Sequence, residues 1–242
     1  MQEKNTNKKE SSFERIIIGS AVVLGIAIIS IALIFGKNSS PQPIDGSGDP
    51  VTDGRTGLEI RSEEVLGNPD ASSTIVGFLD FQCSACAIFF AQIEPQIRAQ
   101  YIDTGKAKMI VKTLSFIDGY SKRGESFAAA RAAQCAREQK GFWNMHDAIL
   151  SVESSEIIAK KNNENNNNLT RDTFIGFAEQ GGLNIPAFTT CYDSDSYASI
   201  TDEYLKDAQV LLGNNISTPT IFINGTRLEN AFDLKEYEAL IQ

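Results

Sequence analysis

Residues 74–86, which read TIVGFLDFQCSAC, decide the fold of this chain. The stretch begins with a run of β-branched and aromatic residues, which predicts a strand over 74–81. Two cysteines, Cys83 and Cys86, follow directly and enclose two small residues. The segment after them, AIFFAQIEPQIRAQY, predicts a helix that extends to about Tyr101. The stretch therefore places a pair of thiols where a strand ends and a helix begins.

This position of the two cysteines favours redox chemistry. The free backbone N–H groups and the positive dipole end of the helix stabilise a thiolate at Cys83. A spacing of two residues places Cys86 one turn along the helix, where a disulfide can close. We predict that Cys83 is the accessible nucleophile and Cys86 the more buried partner. A metal carrier that uses the same two thiols is disfavoured, because the chain has only 3 methionines and no ligand-rich segment.

Two side chains near the cysteines could tune the dithiol. No histidine or lysine lies between the cysteines, so the helix end and Ser84 are left to support the thiolate. We therefore expect the pKa of Cys83 to be less depressed than in a centre with an intervening histidine. Asp80, at the strand end, could tune proton transfer, or it could be an ordinary surface acid.

The composition limits the classes of protein to which the chain can belong. With 242 residues, 42% of them hydrophobic, it can form one substantial core with an appendage. A net charge of −9 without basic runs argues against a nucleic-acid partner. Four cysteines are too few for a disulfide scaffold, and a single histidine argues against structural zinc. We expect neither a metal nor an organic cofactor.

The N-terminal part predicts a membrane anchor. Residues 16–36 form an uncharged apolar run (IIIGSAVVLGIAIISIALIFG), which at about 1.5 Å per residue spans the roughly 30 Å hydrocarbon layer. No A-x-A-like cleavage site follows, so we predict an uncleaved transmembrane signal anchor rather than a cleaved signal peptide. Basic residues are more frequent before this run, which predicts that 1–15 is a short cytoplasmic tail and that 37–242 lies outside the cytoplasm. Disulfides persist in such a compartment.

The remainder of the chain predicts a flexible tether and one α/β domain. Residues 37–57 are rich in Gly, Pro, Ser and Asp and predict the tether, and 58–242 predict the domain. The predicted elements are a short leading strand or turn in 60–66, strands 74–81 and 108–114, a helix over 83–101 that Pro95 interrupts, helical pieces in 124–152 broken at Gly141, an exposed polar loop over 162–168, helices 170–180, 186–192 and 197–212, strands 219–223 and 226–228, and a closing helix 233–241. This order suits a thioredoxin-like α/β fold with an all-helical insertion over about 120–212.

A proline at the start of a late strand predicts the second half of the site. The Thr218-Pro219 bond follows a polar turn, where a cis peptide bond is plausible. In thioredoxin-like centres such a proline lies opposite the C-x-x-C and leaves the preceding backbone free to pair with a substrate. The alternative is an ordinary trans proline.

Three motifs together resemble the DsbA family of thiol–disulfide oxidoreductases, and most closely its membrane-anchored, BdbD-like branch. They are FLDFQCSAC at 78–86, CAREQKGFWNMHD at 135–147 and STPTIFING at 217–225. The resemblance covers roughly 58–242 and implies a thioredoxin fold with a helical insertion. It also implies dithiol oxidase activity on exported proteins and reoxidation by a DsbB-like or VKOR-like membrane partner. The Ser84-Ala85 pair departs from the family's frequent Pro followed by His or Tyr, which bears on oxidising power rather than on fold.

The two remaining cysteines, Cys135 and Cys191, allow two interpretations. Free cysteine is among the most buried residue types, so both could be core thiols. Both cysteines fall in the helical block of a domain that we expect to be exported, and some members similar to this chain carry a second, structural disulfide there. We therefore expect a Cys135–Cys191 bond. His146 is expected to pack within an amphipathic helix rather than to act in catalysis.

Two alternatives to an oxidase stay open. The same fold could act as a reductase or isomerase, although isomerases usually need a dimerisation domain, and none is visible in the sequence. The chain could also be a tethered thioredoxin-like chaperone without catalysis, against which the intact C-x-x-C argues.

Overall fold

A computed structural model describes residues 51–52, 59–60, 65–119, 124–194 and 197–241. The predicted cytoplasmic tail and signal anchor, and the predicted tether apart from 51–52, lie outside the described residues. Among the helices of the described ranges, none combines the length and the apolar character that a membrane crossing requires.

A five-stranded sheet forms the centre of the domain. Its strands are β3 (Val65–Leu66), β4 (Ser73–Asp80), β5 (Ala107–Leu114), β6 (Thr220–Ile223) and β7 (Thr226–Arg227). Their order is β3-β5-β4-β6-β7, in which β4 and β5 are parallel and the other pairs antiparallel. The predictions for β4, β5, β6 and β7 are confirmed to within one or two residues.

The leading segment differs from the prediction. Instead of one strand or turn in 60–66, the chain forms β2 (Glu59–Ile60), which pairs with β1 (Val51–Thr52), and then the separate β3. A run this short carries too little period-2 alternation to show where one strand stops and the next begins. The single-element prediction is therefore wrong.

The helices follow the sequence pattern, except that the helix after Gly141 extends to Ile158, beyond the predicted end at 152. They are α1 (Ser84–Gln92), α2 (Glu94–Ile97) with a π-helical turn at Arg98–Ile102, α3 (Glu125–Arg137), α4 (Phe142–Ile158), α5 (Arg171–Gln180), α6 (Ile185–Asp193), α7 (Ala198–Leu212) and α8 (Leu234–Leu240). Thr170 caps α5 by accepting a hydrogen bond from the Thr173 N–H, as a threonine directly before a helix commonly does. An all-helical insertion of α3 to α7 thus separates β5 from β6.

Two predicted helix breaks have clear physical causes. Pro95 lies in the first turn of α2. Its ring nitrogen has no hydrogen to donate to the preceding turn, so α1 cannot continue through it and ends before it. Gly141 separates α3 from α4, and a Cβ there would approach the Leu183 side chain to 2.7 Å. Only glycine therefore fits at this corner without displacing its neighbour.

The sheet is covered on both faces, which explains the continuous apolar run of β4. Ile75 and Leu79 belong to a core shared with α1, α3 and α4, whereas Val76 and Phe78 belong to a second core shared with α7. A central strand with helices on both sides has no polar face. The sheet and its two helical layers hold the C-terminal end of β4, where the cysteines begin, in a fixed position.

A disulfide staples the helical insertion. Cys135 of α3 and Cys191 of α6 are joined across a sequence separation of 56 residues. Both sulfurs belong to the larger core, which shields the bond from solvent thiols. The bond ties two helices of the insertion that face each other across that core.

Replacing Cys135 and Cys191 together by alanine is expected to lower the free energy of unfolding by about 4 kcal/mol, because the unfolded chain loses a closed loop of this size. Denaturant unfolding under non-reducing conditions, followed by circular dichroism, measures the change. The control is the Cys83→Ala, Cys86→Ala double variant, which keeps the Cys135–Cys191 disulfide. Equal unfolding midpoints for the two double variants would contradict this prediction.

Candidate redox site

Strand β4 and helix α1 bring the two cysteines of the C-x-x-C together. After β4 ends, the Cys83 N–H donates to the Asp80 carbonyl at 3.0 Å, which closes the turn before α1. Cys83 precedes the first residue of α1 with an extended backbone, and Cys86 lies in its first turn. Cys83 is 8% exposed and Cys86 is fully buried, and both are free thiols here. Cys83 is more accessible than Cys86, as predicted, although only a small part of Cys83 is exposed.

The two thiols have opposite pKa shifts. A hydrogen bond from the Cys86 thiol, helped by the backbone N–H groups of Cys86 and Ala85, lowers the pKa of Cys83 from 9.0 to about 6 although burial opposes this. Burial, followed by the influence of Cys83, raises the pKa of Cys86 well above that of an ordinary thiol. At neutral pH the reduced site therefore holds one thiolate, on the more accessible sulfur.

The Thr218-Pro219 segment lies directly opposite this sulfur. The Cys83 thiol donates to the Thr218 carbonyl oxygen at 3.4 Å, and the Thr218-Pro219 peptide bond is cis. The segment leads into β6, which pairs with β4 in the register Phe78 to Thr220. The sheet therefore joins the two halves of the site that the sequence predicts.

Asp80 is a buried anchor, so the interpretation as a surface acid is wrong. Its carboxylate is fully buried and accepts hydrogen bonds from the Phe116 and Ile117 N–H groups at 2.9 and 3.1 Å. It also accepts from the Gln82 N–H at 3.0 Å and the Ser126 hydroxyl at 2.7 Å. Burial raises its pKa to about 6 in spite of these hydrogen bonds. The carboxylate ties the end of β4 to α3 and to the segment after β5.

The Asn-rich segment is part of the site, and the sequence analysis missed it. We predicted that 162–168 is an exposed loop, but Asn163 is only 1% exposed. Its side chain contacts both Gln82 and Ser84, the two neighbours of Cys83. A run of identical polar residues carries no periodicity, so nothing in it distinguishes the buried position from the exposed ones. The prediction of a wholly exposed loop is therefore wrong.

His146 is a core residue, as predicted. It is fully buried, with its ring against Phe81, Phe142 and Trp143. Glu94, His146 and Asp147 lie close enough to share a metal ion. The Arg98 guanidinium already binds Glu94 and Asp147, at 2.5 and 2.6 Å. Both carboxylates of this group are therefore already ion-paired with Arg98.

Comparison with known proteins agrees with this geometry. A family model described as Thioredoxin matches residues 60–242. The "Putative protein-disulfide oxidoreductase" of Rickettsia bellii is 25% identical over 171 residues, which are 70% of this chain and 60% of that protein. Disulfide bond formation protein D of Bacillus subtilis is 26% identical over 187 residues, 76% of this chain and 77% of that protein. The crystal structure of oxidised BdbD from Bacillus subtilis has a TM-score of 0.61 at 25% identity and covers 73% of this chain and 89% of its own.

The chain therefore belongs to the thioredoxin family, within its DsbA-like branch of thiol–disulfide oxidoreductases. The match spans less than two thirds of the Rickettsia relative's length.

The reactivity of Cys83 is expected to follow its thiolate. In the reduced protein, the rate of alkylation by iodoacetamide should rise with pH through a midpoint at about 6, because only the thiolate reacts. Cys86 should stay unlabelled over this range, since its pKa is raised. Intact-mass analysis across a pH series gives both results. A Cys86→Ala variant should shift the midpoint upward, and a midpoint near 9 in the unaltered protein would refute the assignment.

Proposed function

We propose that this protein is an extracytoplasmic dithiol oxidase that introduces disulfides into exported proteins through Cys83 and Cys86. The observation that supports this most is the stabilised Cys83 thiolate, with a pKa of about 6. A stabilised thiolate favours the reduced form of the site, so the oxidised form readily accepts electrons from other thiols. The name of the Bacillus subtilis relative, a disulfide bond formation protein, supports the same direction.

The reaction begins with the Cys83–Cys86 disulfide. A substrate thiolate attacks the Cys83 sulfur, the bond to Cys86 breaks, and Cys86 leaves and takes up a proton, as its raised pKa favours. A second substrate thiolate then attacks the substrate sulfur of the mixed disulfide and displaces Cys83. Because Cys83 has a low pKa, it is a good leaving group in this second step. The substrate loses two electrons, and the site is left as a reduced dithiol.

The Thr218-Pro219 segment shapes the substrate groove in this proposal. The Thr218 carbonyl lies 3.4 Å from the Cys83 sulfur and accepts the thiol hydrogen when Cys83 is protonated. Once Cys83 carries a substrate, no thiol hydrogen remains, and this carbonyl is free to accept a backbone N–H from the substrate. The segment would thus hold the substrate chain beside the mixed disulfide.

The location of the protein is part of the proposal. Residues 16–36 anchor the chain in the membrane, with 1–15 in the cytoplasm and the catalytic domain outside on the tether of 37–57. The Cys135–Cys191 disulfide supports this, because structural disulfides persist in oxidising compartments. The partner that reoxidises Cys83 and Cys86 would be a DsbB-like or VKOR-like membrane protein.

The reduction potential of the full chain in detergent, equilibrated against glutathione, tests the direction of electron flow. We expect a value more oxidising than the roughly −270 mV of thioredoxin, on the side of the roughly −120 mV of DsbA, because the Cys83 thiolate stabilises the reduced form. In a Cys86→Ala variant, the Cys83 thiolate should attack a disulfide-bonded peptide, release one of its sulfurs as a thiol and accumulate as the mixed disulfide with the other, while Cys83→Ser should form none. A potential near roughly −270 mV, where thioredoxin lies, would replace the oxidase by a reductase. Unimpaired function of Cys83→Ser in cells would instead indicate a non-catalytic chaperone.

The location has its own test. In intact cells stripped of their wall, an added protease is expected to degrade the domain while the N-terminal tail stays protected. Detection with separate antibodies against the two ends distinguishes them, and lysed cells serve as the control. Protection of the domain in intact cells would exclude an extracytoplasmic site.

A further inference from the structure

One buried amide holds the chain on both sides of the nucleophile. The side-chain oxygen of Asn163 accepts a hydrogen bond from the Ser84 hydroxyl at 2.7 Å. Its side-chain nitrogen donates to the Gln82 carbonyl at 3.1 Å. Gln82 and Ser84 are the residues directly before and after Cys83. Asn163 comes from the loop between α4 and α5, so this contact joins the insertion to the site over a sequence separation of about 80 residues.

Asn163 is itself held by a buried carboxylate. Glu153 of α4 accepts from the Asn163 side chain at 3.0 Å and from the Gln82 side chain at 3.2 Å with one oxygen. Its other oxygen accepts from the Asn168 side chain at 3.1 Å. The Asn165 N–H donates to the remaining polar atom of the Gln82 side chain. Gln82, Glu153 and Asn163 thus satisfy one another's hydrogen bonds.

Such a network restricts motion because its parts are buried. Gln82 and Glu153 are fully buried and Asn163 nearly so, and a buried polar group that loses its partner costs free energy. Burial raises the pKa of Glu153 to about 7, while hydrogen bonds from Asn163 and Asn168 act in the opposite sense. Any movement of Asn163 would therefore break several hydrogen bonds at once. The network has the rigidity that a positioning role requires.

The Ser84 hydroxyl is directed away from the reacting sulfur. It donates to Asn163 and lies 3.2 Å from a Glu164 carboxylate oxygen. The donors that remain for the thiolate include the Cys86 thiol and the backbone N–H groups of Ala85 and Cys86. The backbone donors belong to the first turn of α1, whose N–H groups have no acceptor within the helix. Their aim at the sulfur depends on the backbone path from Gln82 to Ser84.

We propose that Asn163, held in place by Glu153, is a positioning residue of the redox site: it binds the Gln82 carbonyl and the Ser84 hydroxyl on either side of Cys83 and so directs the first-turn N–H groups of α1 at the Cys83 sulfur. We call this arrangement of Gln82, Ser84, Glu153 and Asn163 the amide clamp. It deepens the proposed function, since it assigns the support of the same nucleophile. The Asn-rich loop is then a working part of the thiolate site rather than a connector.

An Asn163→Ala variant tests the clamp. Ultraviolet absorbance of the thiolate in the reduced protein gives the pKa of Cys83, which we expect to rise by about one unit as the backbone donors lose alignment. At pH 7 this corresponds to a shift of about fivefold in the equilibrium with glutathione, toward the oxidised protein, or about 20 mV at about 30 mV per tenfold. An unchanged pKa in a folded Asn163→Ala protein would overturn the proposal.

The matched control is Asn166→Ala. Asn166 lies in the same loop, but its side chain donates to Glu156 and to the Asn162 carbonyl and accepts from the Asn168 N–H, partners that lie outside the C-x-x-C segment. It should leave the pKa of Cys83 unchanged. An equal shift in Asn166→Ala would show that general loop integrity, and not the amide clamp, supports the thiolate.

Two further variants separate positioning from stability. Glu153→Gln keeps the side-chain shape but turns one acceptor into a donor that opposes the amide donors around it, so a smaller rise in the pKa of Cys83 is expected. In a Ser84→Ala background, Asn163→Ala should raise the pKa by less than it does alone, because one arm of the clamp is already gone. If Asn163→Ala fails to fold, the pKa of Cys83 in Glu153→Gln and in Ser84→Ala tests the clamp instead. An unchanged pKa of Cys83 in both variants would overturn the proposal.

The titration needs no substrate and no turnover. A thioredoxin-like potential in the unaltered protein would overturn the oxidase assignment but leave the pKa difference between Asn163→Ala and Asn166→Ala intact. Conversely, equal pKa values in these variants would overturn the clamp and leave an oxidising potential in place. The two failures are therefore distinguishable.

Discussion

The site depends on the meeting of the Cys83 sulfur with the unpaired N–H groups at the start of α1. A helix always begins with N–H groups that lack a partner, and an anionic sulfur satisfies them while it gains stability itself. This interaction requires that a strand end one short turn before the helix, in a position that does not move. The sheet provides this, because β4 is its central strand and is covered by helices on both faces. The rest of the fold can be understood as support for this junction.

Much of this arrangement was predictable from local sequence. The strand, the C-x-x-C, the break at Pro95, the corner at Gly141 and the cap at Thr170 each follow from the chemistry of one or two residues. Such features are local, since a proline ends a helix whatever surrounds it. The order of these elements then predicted a thioredoxin-like fold, and the resemblance of the three motifs implied the same fold. The fold was predictable because single residues mark where its helices and strands begin and end.

The support of the site was not predictable in the same way. Asp80 is an anchor only because the segment after β5 and Ser126 of α3 present donors to it, and these lie 36 to 46 residues away. Asn163 is buried only because α4 carries Glu153 to the same place. In both cases the role of a polar side chain is set by partners that the chain brings near from a distance. A single sequence shows such a residue but not its partners.

The disulfide within the insertion has a consequence for how the protein comes into being. Cys135 and Cys191 leave the ribosome as thiols, so every new copy must lose two electrons before its helical block is complete. Under the proposed function, a catalyst of disulfide formation that contains a structural disulfide is thus one of its own clients, or the client of another oxidant. Once folded, Cys135 is fully buried and Cys191 nearly so, which protects the bond from exchange with the reactive thiols of neighbouring copies. The maturation of this protein and its proposed catalysis use the same chemistry, and the burial of Cys135 and Cys191 keeps the two reactions apart.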